Sequence, residues 1–241
     1  MRKETEAIAA IDHIIWATPD LDACVKGFAQ MTGVEPRIGG SHPGLGTRNA
    51  LLSLGPKLYL EIIGPDPAQD LTDTYGGVFA KLSAPGMFTL AARSEDLSST
   101  RKTLAEVGLT SPTPFEMGRK LPNGDTLSWR IMAHAPRGAH GWEFPFFIDW
   151  GTVPAHPAED SPKGCSIKRF AALAPDAVKL ERAYRAVGLD IEVRRAMRPG
   201  FETVLDTPRG KVVLNPACGM PDYSVISRLL ATMAQRTGLR A

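Results

Sequence analysis

The chain has 241 residues, 43% of them hydrophobic, with 28 lysines and arginines against 26 aspartates and glutamates. That length holds one large domain or two small ones around a sizeable core. The near balance of charge, with no run of like charges and no interleaving of basic and aromatic residues, excludes a nucleic-acid surface.

No segment approaches about eighteen consecutive apolar residues, so no membrane partner is expected. The opening MRKETEAIAAIDHII lacks the long apolar core and small-residue cleavage site of a secretory leader, and a cytoplasmic location follows as the expectation. Cys24, Cys165 and Cys218 are odd in number, far apart and without C-x-x-C spacing, which reads as reduced thiols rather than disulfides or structural zinc.

In chain order, a first unit is predicted over residues 8–66. IDHIIWATPDLDACVKGFAQMTGVEP reads as an apolar strand, a capping turn at Asp20, an amphipathic helix and a stop at Gly33. Three more strands follow, of which RNALLSLG and KLYLEIIG are the clearer two. A second unit, 86–151, repeats the order in MFTLAARSEDLSSTRKTLAEVGL, with Asp96 for Asp20 and Gly108 for Gly33, before the strands TLSWRIMAH and FPFFIDWG. GTVPAHPAEDSPKG reads as a linker crossing the surface. A third unit, 164–216, echoes the same signals at Asp176 and Gly188 and ends in FETVLDTPRGKVVLN. Over 221–236, Val225, Ile226, Leu229, Leu230 and Met233 recur at helical spacing and predict a closing C-terminal helix.

The fold class predicted is therefore α+β. Repeated βαβββ modules form curved mixed sheets with helices outside, and adjacent modules pair into a cup because each is too small to bury its strands alone. Three modules leave one without an internal partner, which predicts either a capped single chain or pairing across a homodimer.

Glu61 interrupts the apolar strand KLYLEIIGP. A lone buried carboxylate is costly, so it must be neutralised, paired, placed on a metal or left wet. An arginine such as Arg48 or Arg130 on a neighbouring strand would make it a structural ion pair. His13 on the first strand shares a face with Ile15 and Ala17, and Glu61 shares one with Tyr59 and Ile63. On its own, a strand histidine is more often a hydrogen-bonded structural residue than a ligand.

DHIIWATPDLDA, GGSHPGLGTRNALLSLG and YLEIIGPDP together resemble the glyoxalase-like branch of the vicinal oxygen chelate superfamily, and FPFFIDWG and LDTPRGKVVL extend the likeness downstream. The resemblance implies paired βαβββ modules and a divalent ion, iron, manganese, nickel, cobalt or zinc, held by a first-strand histidine and a fourth-strand glutamate. His13 and Glu61 occupy those positions. The second unit offers Thr89 in place of His13, and Ile148 or Asp149 in place of Glu61 according to a one-residue choice of register. In the third, the corresponding residues are Arg169 and Asn215, and a guanidinium cannot ligate a metal. Asp149 is the third ligand candidate, and Glu61 and Asp149 are the catalytic candidates.

His42, in the glycine-rich GGSHPGLG stretch, and Asn49, after it, are placed at the rim of the cup to orient substrate oxygens. Trp150, next to Asp149, is placed near the site as a substrate contact, whereas Trp16, Trp129 and Trp142 are read as core more readily than as cavity lining. His134 and His140, in HAPRGAH, belong to a loop that could close over a ligand. No Ser-His-Asp pattern or G-x-S-x-G elbow supports acyl transfer.

Two functions follow. One is a metal-dependent isomerase, lyase or dioxygenase acting on a small-molecule substrate through its oxygens. The other is a binding protein that sequesters such a molecule in the same cup, and an interaction scaffold with a filled cup is a weaker third.

Overall fold

The computed structural model describes residues 11–133, 140–153 and 155–220. In chain order its elements are β1 (Ile11–Ala17), α1 (Leu21–Thr32), β2 (Arg37–His42), β3 (Thr47–Gly55), β4 (Leu58–Pro65), α2 (Tyr75–Phe79), β5 (Gly86–Arg93), α3 (Leu97–Glu106), β6 (Phe115–Lys120), β7 (Thr126–Met132), β8 (Phe146–Asp149), α4 (Pro157–Asp160), β9 (Ser166–Ala174), α5 (Ala177–Ala186), β10 (Glu192–Arg195), β11 (Gly200–Thr207) and β12 (Gly210–Leu214).

The repeated aspartates and glycines fix the three longer helices at both ends. Asp20, Asp96 and Asp176 each accept a hydrogen bond from a backbone N–H of the first turn, answering donors that the helix leaves orphaned. Gly33, Gly108 and Gly188 then leave the helices with φ of 80°, 78° and 78°, a left-handed conformation that glycine adopts without steric cost.

Strands β1 to β4 form a sheet ordered β1-β4-β3-β2, and β5 to β8 repeat it as β5-β8-β7-β6. The two sheets join along antiparallel β1 and β5, and again where Ser41 on β2 faces Lys120 on β6. The expected cup is thus a closed eight-stranded barrel. Gly40 permits the second seam, because a Cβ there would stand 1.9 Å from the Lys120 carbonyl oxygen.

The third unit has the predicted order of elements but a different pairing. Its sheet runs β10-β9-β11-β12, so β9 lies between β10 and β11 and never meets β12. Arg169 and Asn215 therefore hold no equivalent of the His13 and Glu61 positions. The short connection from α5 delivers β10 directly beside β9, whereas in the first two units the strand after the helix lies at the far edge. This sheet covers the outside of the barrel, where Phe170, Phe201, Leu205 and Leu214 share one core with Ile14, Trp16, Phe28 and Leu60. Burial of each such side chain stabilises by roughly 1.5–3 kcal/mol.

The proline-rich stretch after β8 departs from a surface linker. His156 caps the single turn α4, Pro157 occupies its first position, and Ala158 packs with Leu51 and Tyr59. The proposed C-terminal helix over 221–236 and His134 lie outside the described residues. No helix among the described residues is long and apolar enough to cross a membrane.

Candidate active site inside the barrel

Strand alternation sends every second side chain inward, and here the inward set encloses a cavity of about 1040 Å³, open mouth included. One end is polar. Parallel pairing of β1 with β4 puts Ile15 opposite Glu61 and brings His13 Nε2 to 3.6 Å from Glu61 Oε2. The His13 ring stacks on Tyr59 at 4.6 Å and meets the edge of Phe146 at 5.6 Å, which fixes its plane.

Behind His13 lies Asp12, fully buried. Its Oδ1 accepts from His13 Nδ1 at 2.8 Å, and its Oδ2 from Trp150 Nε1 and His156 Nε2, both at 3.0 Å, and from Arg93 Nε at 3.4 Å. Burial alone would raise its pKa, but the hydrogen bonds and charges of His13 and His156 outweigh that and hold the carboxyl well below the usual carboxylate range. An ionised Asp12 only accepts, so His13 Nδ1 carries a proton. His13 Nε2 then faces Glu61 with a lone pair or with a second proton. His156 is oriented in the same manner, since its Nδ1 accepts from Ala158 N at 3.2 Å and leaves Nε2–H for Asp12.

On the other side of Glu61, Asn49 Nδ2 donates to Oε1 at 2.5 Å and lies 3.4 Å from His42 Nε2, while Arg119 Nη1 donates to Asn49 Oδ1 at 3.4 Å. His42 Nε2 is 3.8 Å from Glu61 Oε1, and its Nδ1 is 3.0 Å from Thr47 Oγ1. Burial, reinforced by the charges of Arg119 and His13 and opposed by Glu61, lowers the His42 pKa to about 4, so its imidazole is neutral at pH 7. The rest of the lining is largely apolar, and part of it touches the polar groups, since Trp129 meets the edge of His42 at 6.2 Å. Trp129 packs on Trp150 with ring centroids 5.2 Å apart, and Phe88 packs on Trp142 at 4.3 Å.

Residues 11–188 match the sequence model of the glyoxalase-like domain, which spans all of the barrel. The chain belongs to the glyoxalase-like domain family. Its fold agrees with that of a solved hypothetical protein from Staphylococcus aureus at TM-score 0.59 and 17% identity, over 88% of each chain. Methylmalonyl-CoA epimerase from Mycobacterium tuberculosis aligns at TM-score 0.43 and 22% identity, over 60% of this chain and 90% of that one. A hypothetical protein from Bacillus halodurans aligns at 0.44 and 16%, over 58% and 92%. No curated protein matches the chain.

In this glyoxalase-like barrel, His13, His42, Asn49, Glu61 and Trp150 all line the cavity. His42 and Asn49 do so buried against Glu61 rather than at the rim. Asp149 departs from expectation, both as ligand and as base. Phe146, Ile148 and Trp150 point inward, which leaves Asp149 on the other face, where Oδ1 accepts from Gly151 N at 2.8 Å and stabilises the turn. The second module therefore sets Ile148 where Glu61 stands in the first, and its Thr89 hydroxyl donates to the Trp142 carbonyl at 2.9 Å.

The suggested arginine partners of Glu61 also lie elsewhere. Arg48 pairs with Asp22 at 2.7 Å, and Arg130 is exposed opposite Asp149. His140 packs against Phe144 at 5.4 Å and lies 3.9 Å from Glu143. Sequence reasoning missed Asp12, Arg119 and His156. The pair Asp12-His13 was visible as adjacent residues, but the bulge between Ile11 and His13 that lets Asp12 serve His13 was not. His156 was hidden in apparent linker.

Among the described residues no three His, Cys, Asp or Glu side chains are grouped to hold a metal ion. Two donors are suitably placed, His13 Nε2 and the Glu61 carboxylate, and their chemistry suits a divalent ion. Asp12 adds the carboxylate that characteristically backs a ligating histidine.

Proposed function

We propose that the barrel cavity is the active site of an enzyme acting on a small oxygen-bearing molecule, with His13 and Glu61 holding a divalent ion, iron, manganese, nickel, cobalt or zinc. The observation that carries this reading is the approach of His13 Nε2 to Glu61 Oε2 at 3.6 Å with Asp12 keeping Nδ1 protonated. Two electron-rich atoms facing one another in a mostly apolar cavity repel unless a cation or a proton lies between them. A bound ion would polarise a substrate carbonyl as a Lewis acid.

The chain's own residues do the rest. The aromatic wall takes the carbon skeleton and excludes water, which strengthens every charge inside. Asn49 fixes Oε1 of Glu61 and leaves Oε2 free to bind the ion or to take a proton from carbon beside a carbonyl. This arrangement suits isomerisation or lyase chemistry, and oxygen-dependent cleavage where the ion is redox-active.

A second reading is sequestration without chemistry. The Thr89 hydroxyl is engaged by Trp142 and Ile148 is apolar, so at the two equivalent positions the second module adds no metal donor. Elemental analysis of protein purified without added metal separates the two, run beside His13→Ala and Glu61→Ala. Stoichiometric metal in the parent, lost in both variants, is expected for the enzyme. A parent that stays metal-free after incubation with each ion, yet still binds small molecules, would establish the binder.

A further inference from the structure

Arg119 lines the polar end of the cavity from β6, and it is only 6% exposed. Among the described residues its guanidinium meets no carboxylate. Nε has no hydrogen-bond partner, and Nη1 has the 3.4 Å contact to the Asn49 carbonyl. Asn49 stands between this cation and Glu61, turning its NH2 to the carboxylate and its oxygen to the guanidinium. Burial lowers the Arg119 pKa and the charge of Glu61 acts against that, so the group remains a guanidinium cation in a largely apolar chamber. A buried cation is costly unless an opposite charge or a full set of acceptors answers it.

Space has been kept for this arrangement. A Cβ at Gly39 would stand 2.4 Å from Asn49 Oδ1 and 2.9 Å from Arg119 Nη1, so any larger residue would force the amide and the guanidinium apart. Elsewhere in the cavity lining, Tyr75, Phe79, Phe88 and Trp142 offer ring faces and edges but no charge.

We infer that Arg119 is the anion-binding residue of the cavity and that the ligand is an amphipathic carboxylic acid, its carboxylate on Arg119 and its aromatic or branched body against the ring-lined wall. The inference rests on the reading of the cavity as a small-molecule site. A planar guanidinium matches the two oxygens of a carboxylate, and it stays charged at any working pH. The acid supplies the direct carboxylate partner that the guanidinium lacks among the described residues, and a neutral analogue of the same shape would not.

The test is calorimetric titration of the full chain at pH 7.5 with 4-phenylbutanoate and with 4-phenylbutanamide, which share shape and differ in charge. The acid is expected to bind the parent at least about tenfold more tightly than the amide. In Arg119→Gln that preference is expected to vanish while amide binding stays, and Arg119→Lys is expected to keep part of it. Thermal unfolding confirms that the variants fold, and the acid–amide comparison in the parent needs no variant. Equal binding of the two by the parent, or a preference that survives in Arg119→Gln, overturns the role of Arg119 and leaves the cavity reading standing. Binding of neither compound at millimolar concentration overturns both.

Discussion

The two halves of the barrel share one chain path and differ in what they aim inward. Strands β1 to β4 present His13, His42, Asn49 and Glu61, whereas β5 to β8 present Trp129, Ile131, Phe146 and Ile148, with Arg119 as their inward charge. Both halves keep the capping aspartate, the left-handed glycine and the buried alternation that the architecture requires. Chemistry enters through a few inward positions, because the fold asks of these only that the barrel close. The first half holds the polar groups, and the second gives them an apolar wall and one cation.

The largest effect is expected where the polar half is most deeply committed. Asp12 accepts from His13, His156, Trp150 and Arg93 while fully buried, so Asp12→Asn sets an amide N–H against donors and leaves them short of charge. Loss of a buried ionic partner of this kind costs about 4 kcal/mol, read as a lower denaturation midpoint. A loss below about 1 kcal/mol would mean that water or rearrangement replaces the carboxylate. The folded pKa of Asp12 lies below its unfolded value, so its contribution is present above about pH 4 and falls away as pH drops below that.

The comparison also shows how much could be read in advance. Helix caps and strand alternation are local, and they revealed three repeated units and which neighbours share a face with His13 and with Glu61, while the family resemblance put those two residues in the cup. The fate of Asp149 was not legible, because the strand FPFFIDWG is apolar on both faces and carries no alternation to choose between Ile148 and Asp149. Pairing in the third sheet depends on non-local contacts, and TPRGKVVL looks the same whether or not β12 meets the leading strand. Arg119 belongs to the site only because the barrel closes at Ser41 and Lys120, a contact between residues 79 positions apart that no local pattern records.

The asymmetry can be reversed by mutation. Ile148→Glu alone buries a carboxylate in the apolar wall and is expected to destabilise by about 3 kcal/mol. Adding Thr89→His completes in the second half the pair that the first half has in His13 and Glu61. If the halves are equivalent frames, zinc at about a hundredfold over its Kd would then raise stability by about 2.7 kcal/mol in the double variant. Thermal unfolding with and without zinc measures this, and a double variant indifferent to zinc would show that the second half cannot bring the two positions together.

A smaller effect is read from pH, through His42 in the first half. Unfolded His42 takes up a proton near pH 6.5, whereas in the folded barrel, held neutral by burial, it does so only near 4. Between these values the unfolded state binds more protons, so stability falls as pH drops from about 6.5 toward 4, and the full loss is at most about 3 kcal/mol. His42→Gln keeps polar atoms near Thr47 and Asn49 but has no proton to gain, and its stability should therefore be flatter over that window. Denaturation at pH 7, 6, 5 and 4 for both proteins gives the difference in slope. Phe88→Leu removes an apolar ring and no titrating group, so it should lower stability at every pH by the same amount and leave the slope untouched. Matching slopes for the parent and His42→Gln would place the acid sensitivity outside the site, with His140 in the second half, whose pKa burial also lowers to about 4, as the next histidine to replace.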